Sequence, residues 1–579
     1  MCSSQLNMNQ TSRTDEGNGP TQGPYAPSSD PVAHQDLKVS DGDDAKSLSK
    51  GLAREDGWSP EKTASVQVND DPAAYNNLPA TVSPARDGPT NVLRKLFRII
   101  IAVGKFVGPG FLVAVAYIDP GNYSTGISAG AAHRFRLLFV ILLSNLFAVL
   151  LQCLAVKLGT VTGLNLAEAC RVFLPRWVNY LLYFLAEAAI IATDIAEVIG
   201  TAIALNLLIP AIPLVAGCAI SILDVFFILI FYRPNGAMSS LRVFEIFVML
   251  LVLTVVVCFG IQLSLIKNTS PREVFRGYVP NDVITNSDGL YQACGILGAT
   301  VMPHSLYLGS GVVQSRLRDY DSKRGLLPAG TTGRTTEDPK TGEKTHYIPS
   351  FAAVEYSLKY TYAEVGVTLA TFALFVNSSI LIVSGASLYQ TPGAEDADIF
   401  SIHDLLSKSI SPFAGVIFAL ALLFSGVSAG IVCTIAGQML CEGALRWRTR
   451  PWLRRLITRS IAVTPSIIIA GATGRPHLDA TLNATQVVLS IVLPFVTAPL
   501  IWFTCFNKYM ATRPGLARLR VEGNGENAAA RPASDQEAAP DTASVVKMAN
   551  PWYVSVAAAA IWLFIVVLNI ANLVLLGAG

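Results

Sequence analysis

Two short motifs place ligand chemistry inside apolar sequence. In the first, Ile118-Asp119-Pro120-Gly121-Asn122 sets a carboxylate and an amide three positions apart within a run of aliphatic and small residues. In the second, Ala299-Thr300-Val301-Met302-Pro303-His304 carries a thioether and an imidazole on either side of a proline. Proline removes a backbone donor and glycine admits irregular backbone angles, so a helix passing through either motif has to unwind there and free main-chain carbonyls. One anionic oxygen, neutral amide and carbonyl oxygens and one soft sulfur suit Mn(II), Fe(II) or Cd(II) better than Mg(II) or Ca(II). A carboxylate at the centre of a membrane-crossing helix costs roughly 2.5 to 3.5 kcal/mol, so Asp119 requires a partner, and a cation fits. The competing reading is structural: Asp119 caps a half-helix, Met302 fills a packing gap and His304 is a hydrogen-bonded buried histidine.

The elements that must hold these motifs are membrane helices. The chain has 579 residues, 51% of them hydrophobic and 15% charged, with mean hydropathy +0.45. A soluble protein carries about a quarter charged residues. From Leu93 onward, apolar runs of roughly 20 residues, the length that crosses a 30 Å hydrocarbon layer, follow one another. About eleven are expected, near 98–132, 137–158, 178–208, 211–232, 241–266, 287–316, 352–388, 410–440, 453–472, 482–506 and 551–577. The fold class is therefore all-α integral membrane. The two motifs fall in the first and sixth runs, five positions apart, as expected if helices 1–5 and 6–10 are inverted repeats of each other and the eleventh is an addition. Unwound backbone at that depth is tolerated only where it lines a cavity or is buried in protein.

Around this core (93–510) the chain divides by composition. Residues 1–92 are rich in Ser, Asp, Asn, Gly and Pro and read as a disordered cytosolic tail, available for regulatory contacts such as those of a ubiquitin-ligase adaptor. A cytosolic loop at about 317–351 and a linker at 511–549 are polar and receive no fold; residues 550–579 form the eleventh helix. Lys and Arg fall mostly on one side, at Arg94, Lys95, Arg98 and Lys105, at Arg171 and Arg176, and at Arg446, Arg448, Arg450, Arg454 and Arg455, which places the N-terminus in the cytosol. Arg134, Arg136, Lys267, Arg272 and Arg276 are exceptions. The net charge of +2 offers no field for nucleic acid. Nine cysteines without a C-x-x-C pair exclude a disulfide scaffold or a zinc knuckle, no early apolar run reads as a signal peptide, and no phosphate loop supports an enzyme or an ATP-driven pump.

The third run carries Glu187, Asp194 and Glu197, whose spacings of seven and three put all three carboxylates on one helix face. Arg316 at the end of the sixth run and Arg454, Arg455 and Arg459 in the ninth are the basic counterparts in reach; the alternative is that these arginines snorkel to lipid headgroups.

Asp119-Pro120-Gly121-Asn122 and Met302-Pro303-His304 resemble the two signature motifs of the natural-resistance-associated macrophage protein (Nramp) family, over roughly residues 95–510. Gln486 to Phe495 resembles the tenth helix of the fungal, Smf-type members, with Val492 where animal relatives have glutamine, which leaves Gln486 as the tenth-helix candidate. The resemblance implies a LeuT-like fold and proton-coupled import of divalent metal by alternating access, manganese first, with Fe(II), Co(II) and Cd(II) also possible cargoes. It implies metal ligands Asp119, Asn122 and Met302 with the carbonyls of Ala116 and Ala299, and a proton route through His304 and the third-run acids. It implies no resident cofactor, since metal ions and protons are cargo, and it leaves plasma, endosomal and vacuolar membranes open. Two other functions compete: a metal sensor signalling through the tail, and an amino-acid symporter of the same fold, whose substrate carboxylate Asp119 would repel.

Overall fold

The computed structural model describes residues 108–223, 238–266, 269–327, 345–390, 398–445, 451–472, 475–521 and 545–578. The tail expected at 1–92 lies outside the described residues. The first span is broken into α1 (Pro109–Val115) and α2 (Pro120–His133). It is followed by α3 (Leu138–Thr162), α4 (Leu166–Phe173), α5 (Arg176–Leu208), α6 (Leu214–Ile220), α7 (Met238–Leu265) and α8 (Pro271–Arg276). The sixth span is likewise broken, into α9 (Ser287–Thr300) and α10 (Pro303–Lys323). Then come α11 (Phe351–Ser387), α12 (Ile399–Ser409), α13 (Pro412–Leu445), α14 (Pro451–Ala472), α15 (Arg475–Cys505) and α16 (Trp552–Ala578).

Local chemistry sets these boundaries. Pro109, Pro120 and Pro303 each open a half-helix, where the missing N–H is one the first turn would leave unpaired anyway. Helix α3 ends on Gly163 at φ 69°, the left-handed conformation that glycine adopts without a Cβ penalty, and α4 begins two residues later under a reciprocal Asn165–Glu168 capping box. Within α11, residues Leu369–Ala373 form a π turn whose first carbonyl accepts from Asn145 Nδ2 at 3.2 Å.

Eight helices among the described residues are long and apolar enough to cross a membrane, counting α9 and α10 together. Of the other three expected spans, the first is two short halves, the fourth contains α6 while its part from 224 lies outside the described residues, and the ninth is α14.

The packing carries the repeat that the two breaks suggest. Helix α2 packs most heavily on the second half of α11, and α10 on α3; exchanging the first five spans with the second five converts one pair into the other. The α5–α15 contact and the α7–α13 contact are related in the same way, and α5 on α13, the heaviest contact of all, maps onto itself. Sequence similarity between the halves is not needed to see this. Each half-helix beyond a break is held by the opposite repeat, so neither repeat closes a core alone.

Two differences from the sequence reading have physical causes. Helix α10 runs to Lys323, beyond the expected end at 316, because Asp319 and Lys323 pair across one turn at 2.6 Å. The two linkers that received no fold both form strands, one in the loop and three in the linker: β1 (Thr345–Ile348) pairs antiparallel with β3 (Arg518–Val521), and β2 (Ala511–Thr512) with β4 (Val546–Lys547). Strands this short carry little pattern. The first pair is fastened to α10 by buried Asp321, which accepts from the Tyr347 hydroxyl and from Ser350 N and Oγ at 3.0 and 2.5 Å. Burial, and then the neighbouring Asp321 carboxylate, push the Tyr347 hydroxyl up, so it stays protonated as a donor. The exceptional Arg134 and Arg136 face Glu273 and Asp282 in ion pairs.

Candidate metal centre

The break between α1 and α2 lies in the protein interior: Tyr117, Ile118, Asp119 and Asn122 are all buried. Asp119 is the N-cap of α2. Its Oδ2 accepts from Gly121 N and its Oδ1 from Asn122 N, both at 3.1 Å. The structural reading of Asp119 therefore holds as geometry, and a cap contributes about 0.5–2 kcal/mol, which offsets part of the cost of the buried charge. The capping also aims the carboxylate, since fixing both oxygens leaves the remaining lone pairs pointing into the break.

Asn122 joins the two breaks. Its Nδ2 lies 2.5 Å from Asp119 Oδ1, 2.9 Å from the Ala299 carbonyl and 3.2 Å from the Tyr117 carbonyl. Three oxygens from the first and sixth spans thus converge on one electropositive NH2 group. An amide has both a donor end and an acceptor end, and turning it over would replace that NH2 with a fourth oxygen. Met302, the N-cap of α10, and Ala116, at the end of α1, are also fully buried at the breaks. The expected ligands are thus brought to two adjacent interruptions: the carbonyl of Ala299 and the side chains of Asp119 and Asn122 touch, and Met302 lies three residues from Ala299.

Helix α15 closes over both breaks at Gln486. A Cβ on Gly298 would stand 2.0 Å from the Gln486 carbonyl, so glycine is required there for the backbones to approach; a Cβ on Gly121 would stand 2.1 Å from Gln486 Nε2, so a side chain there would push the amide end of Gln486 away from the break. Gln486 Oε1 is buried with no hydrogen-bond partner, an oxygen free to turn toward a cation, whereas Val492 is buried and offers none.

Several polar residues that the sequence reading did not single out support the break. Asn377 Nδ2 donates to the Tyr117 carbonyl at 3.1 Å while its own Oδ1 is buried and unpartnered. Gln152 Nε2 donates to the Tyr117 hydroxyl and to Ser305 Oγ at 2.9 and 2.8 Å, and Ser305 Oγ reaches back to the Met302 carbonyl at 2.7 Å. Uncharged polar residues are common in apolar spans, so none of these stood out alone.

His304 is buried, with Nδ1 3.4 Å from Thr193 Oγ1 and Nε2 unpartnered. Thr193 precedes Asp194, and here the acid cluster begins. Arg459 of α14, 1% exposed, sets its NH1 2.6 Å from Asp194 Oδ1 and 3.4 Å from Glu197 Oε2. Glu187 stands apart from that pair and accepts from Cys441 Sγ at 3.7 Å. The side chains of Arg454 and Arg455 lie outside the described residues.

Arg316 requires a correction. It does not join the third-run acids but lies 3.1 Å from Glu364 of α11 and 3.8 Å from Glu245 of α7, while Glu364 also accepts from Gly110 N of α1 at 3.1 Å. The reason is positional: α10 packs on α11, whose Glu364 faces Arg316, and Glu245 of α7 comes within reach of the same guanidinium. Glu245 and Glu364 carried a signal that went unused, since each is a carboxylate inside an expected membrane span.

Comparison with known proteins identifies the family. Residues 110–514 match the model of the family described as natural resistance-associated macrophage protein-like. The manganese transporter SMF1 of Saccharomyces cerevisiae is 48% identical over 84% of this chain and 87% of its own length; the iron transporter SMF3 of the same yeast is 50% identical over 75% and 88%. The structure of a mutant of the Eremococcus coleocola manganese transporter superposes with TM-score 0.62 at 31% identity, covering 81% of this chain and 85% of that one. With its two helix breaks, its reciprocal packing and a family match across the whole membrane core, this multi-pass membrane protein of LeuT-like fold belongs to the Nramp family.

Proposed function

We propose that the protein is a proton-coupled secondary transporter that carries divalent transition metal ions, Mn(II) foremost, into the cytosol by alternating access. The observation that carries this reading is the convergence of Asp119 Oδ1 and the Tyr117 and Ala299 carbonyls on a single point bridged by Asn122. An arriving cation replaces the Asn122 NH2 at that point and takes Asp119, the turned Asn122 oxygen, backbone carbonyls including those of Ala116 and Ala299, and the Met302 sulfur as its donors. The sulfur sets the preference, since Ca(II) and Mg(II) gain little from a thioether. Relatives named for manganese and for iron stand at nearly the same identity, so identity alone does not order the metals.

Protons travel from the break through His304 toward Asp194, Glu197 and Arg459. Closure on the cytosolic side is held by Arg316, which ties α10 to α7 and α11 and, through Glu364, to the start of α1. In this reading the N-terminus and residues 1–92 face the cytosol, within reach of regulatory adaptors, in the plasma membrane or an endosomal or vacuolar membrane.

The test is Mn(II) uptake into proteoliposomes at mildly acidic and mildly alkaline outside pH, with excess Ca(II) present. Acid-stimulated uptake in the wild type that disappears in Asp119→Ala supports the reading. Saturable Mn(II) binding with no uptake would establish a sensor instead.

A further inference from the structure

The acid cluster beside α14 has a chemistry that proton relay does not use. Oxygens of Asp194 and Glu197 and the sulfur of Cys433, on α13, all lie within 4.8 Å of one another, and all three residues are buried. No other trio of His, Cys, Asp or Glu among the described residues comes as close. The second observation is Glu197 Oε1: Arg459 engages the other oxygen, Oε2, and leaves Oε1 buried with no hydrogen-bond partner in a side chain 1% exposed. The thiol of Cys433 makes a long contact, 3.9 Å to the Ile190 carbonyl, and also faces the Asp194 carboxylate, so its sulfur already sits beside one of the other two donors.

Two carboxylate oxygens and a thiolate are three donors of a tetrahedral site. With metal–oxygen distances of about 2.1 Å and metal–sulfur of about 2.3 Å, such donors stand about 3.4 to 3.6 Å apart, so these three have to close by roughly an ångström, which side-chain rotation supplies. The set is softer than the one at the breaks. There, a single thioether accompanies several oxygens; here a thiolate supplies one donor in three, which favours Cd(II) or Zn(II) over Mn(II).

We propose that Asp194, Glu197 and Cys433 form a second cation site, separate from the break-centred one, that takes a thiophilic divalent ion and, by displacing Arg459 from Asp194, blocks transport. Binding requires the Cys433 sulfur as thiolate, its proton leaving to solvent as the metal–sulfur bond forms. The blocking effect rests on the transport reading given above; the binding does not.

The experiment uses full-length protein carrying Asp119→Ala, so that the break-centred site is disabled. Cd(II) is titrated into it while the ultraviolet charge-transfer band of cadmium-bound thiolate is followed. The expected result is a saturable band at one ion per chain that Cys433→Ser removes, with affinity falling at least 100-fold; Cys433→Ala replaces it if the serine variant does not fold. No band, or equal bands with and without Cys433, overturns the site. Inhibition of Mn(II) uptake by Cd(II) is then compared in otherwise wild-type and Cys433→Ser protein, each against its own uninhibited rate. A component of inhibition that excess Mn(II) does not relieve, and that needs Cys433, supports blockade. A Cys433-dependent band without that component overturns the blockade while leaving the binding site. Absence of Mn(II) uptake in the wild type would count against the transport reading and not against the site.

Discussion

Two regions of this protein bury carboxylates, and they neutralise them differently. Asp194 and Glu197 are met by a resident guanidinium, Arg459. Asp119, among the described residues, is met by two backbone N–H groups and an amide, with no arginine or lysine paired to it. A resident guanidinium offsets one of the two charges of that pair at all times, whereas Asp119, supported only by neutral donors, keeps its whole deficit for a transient cation to fill. The comparison separates the place where cargo stops from the place where charge is managed, although both lie in the same membrane core.

The sharpest way to break this comparison is to remove the permanent counter-ion. Arg459→Leu leaves two buried carboxylates unpaired and is expected to destabilise the protein by about 3–5 kcal/mol. Thermal unfolding of the purified protein measures it, and adding Asp194→Asn and Glu197→Gln should recover much of the loss. A melting temperature unchanged by Arg459→Leu would mean that the guanidinium is not what neutralises the pair. Next in size, Asp119→Asn keeps the shape of the cap and deletes the charge, and Mn(II) uptake in proteoliposomes should fall by about 100-fold or more, close to 2.7 kcal/mol. Stability should change far less than in Arg459→Leu, and an equal loss in both would erase the distinction. Met302→Ala should leave uptake measurable while discrimination against Ca(II), read from competition curves, drops by about tenfold. Smallest of all, Tyr347→Phe removes one donor to Asp321 and should cost about 1 kcal/mol of stability with no change in metal preference. A shifted preference there would tie the β1–β3 pair to the centre.

Much of this was legible from residue types. Proline and glycine at Pro120, Gly121 and Pro303 interrupt apolar runs, and an ionisable residue at such an interruption, Asp119, is costly enough to need a reason. The capping and ligand readings of Asp119 were set against each other; the structure shows the cap, with both carboxylate oxygens held by backbone N–H groups. What could not be read was who faces whom. Arg316 was grouped with the third-run acids as a basic counterpart along the proton route, but a linear order of spans does not state that α10 packs on α1 and α11. Gln486 illustrates the same limit: its type marked it as a candidate, but its position against Gly121 and Gly298 follows from the tenth span crossing both breaks. The β1–β3 pair joins segments some 170 positions apart, and four-residue strands in polar linkers carry no periodicity from which to infer a partner.

The donor set proposed for the breaks also has an electrical consequence. Of Asp119, Asn122, Met302 and the Ala116 and Ala299 carbonyls, one alone carries formal charge. Empty, that set carries one negative charge and, loaded with a divalent ion, one positive charge, so each ion delivered moves two net charges through the membrane potential. Each elementary charge is worth about 2.3 kcal/mol per 100 mV, so an inside-negative voltage of that size adds about 4.6 kcal/mol to the inward movement of the ion, more than a thousandfold in accumulation, before any proton gradient contributes.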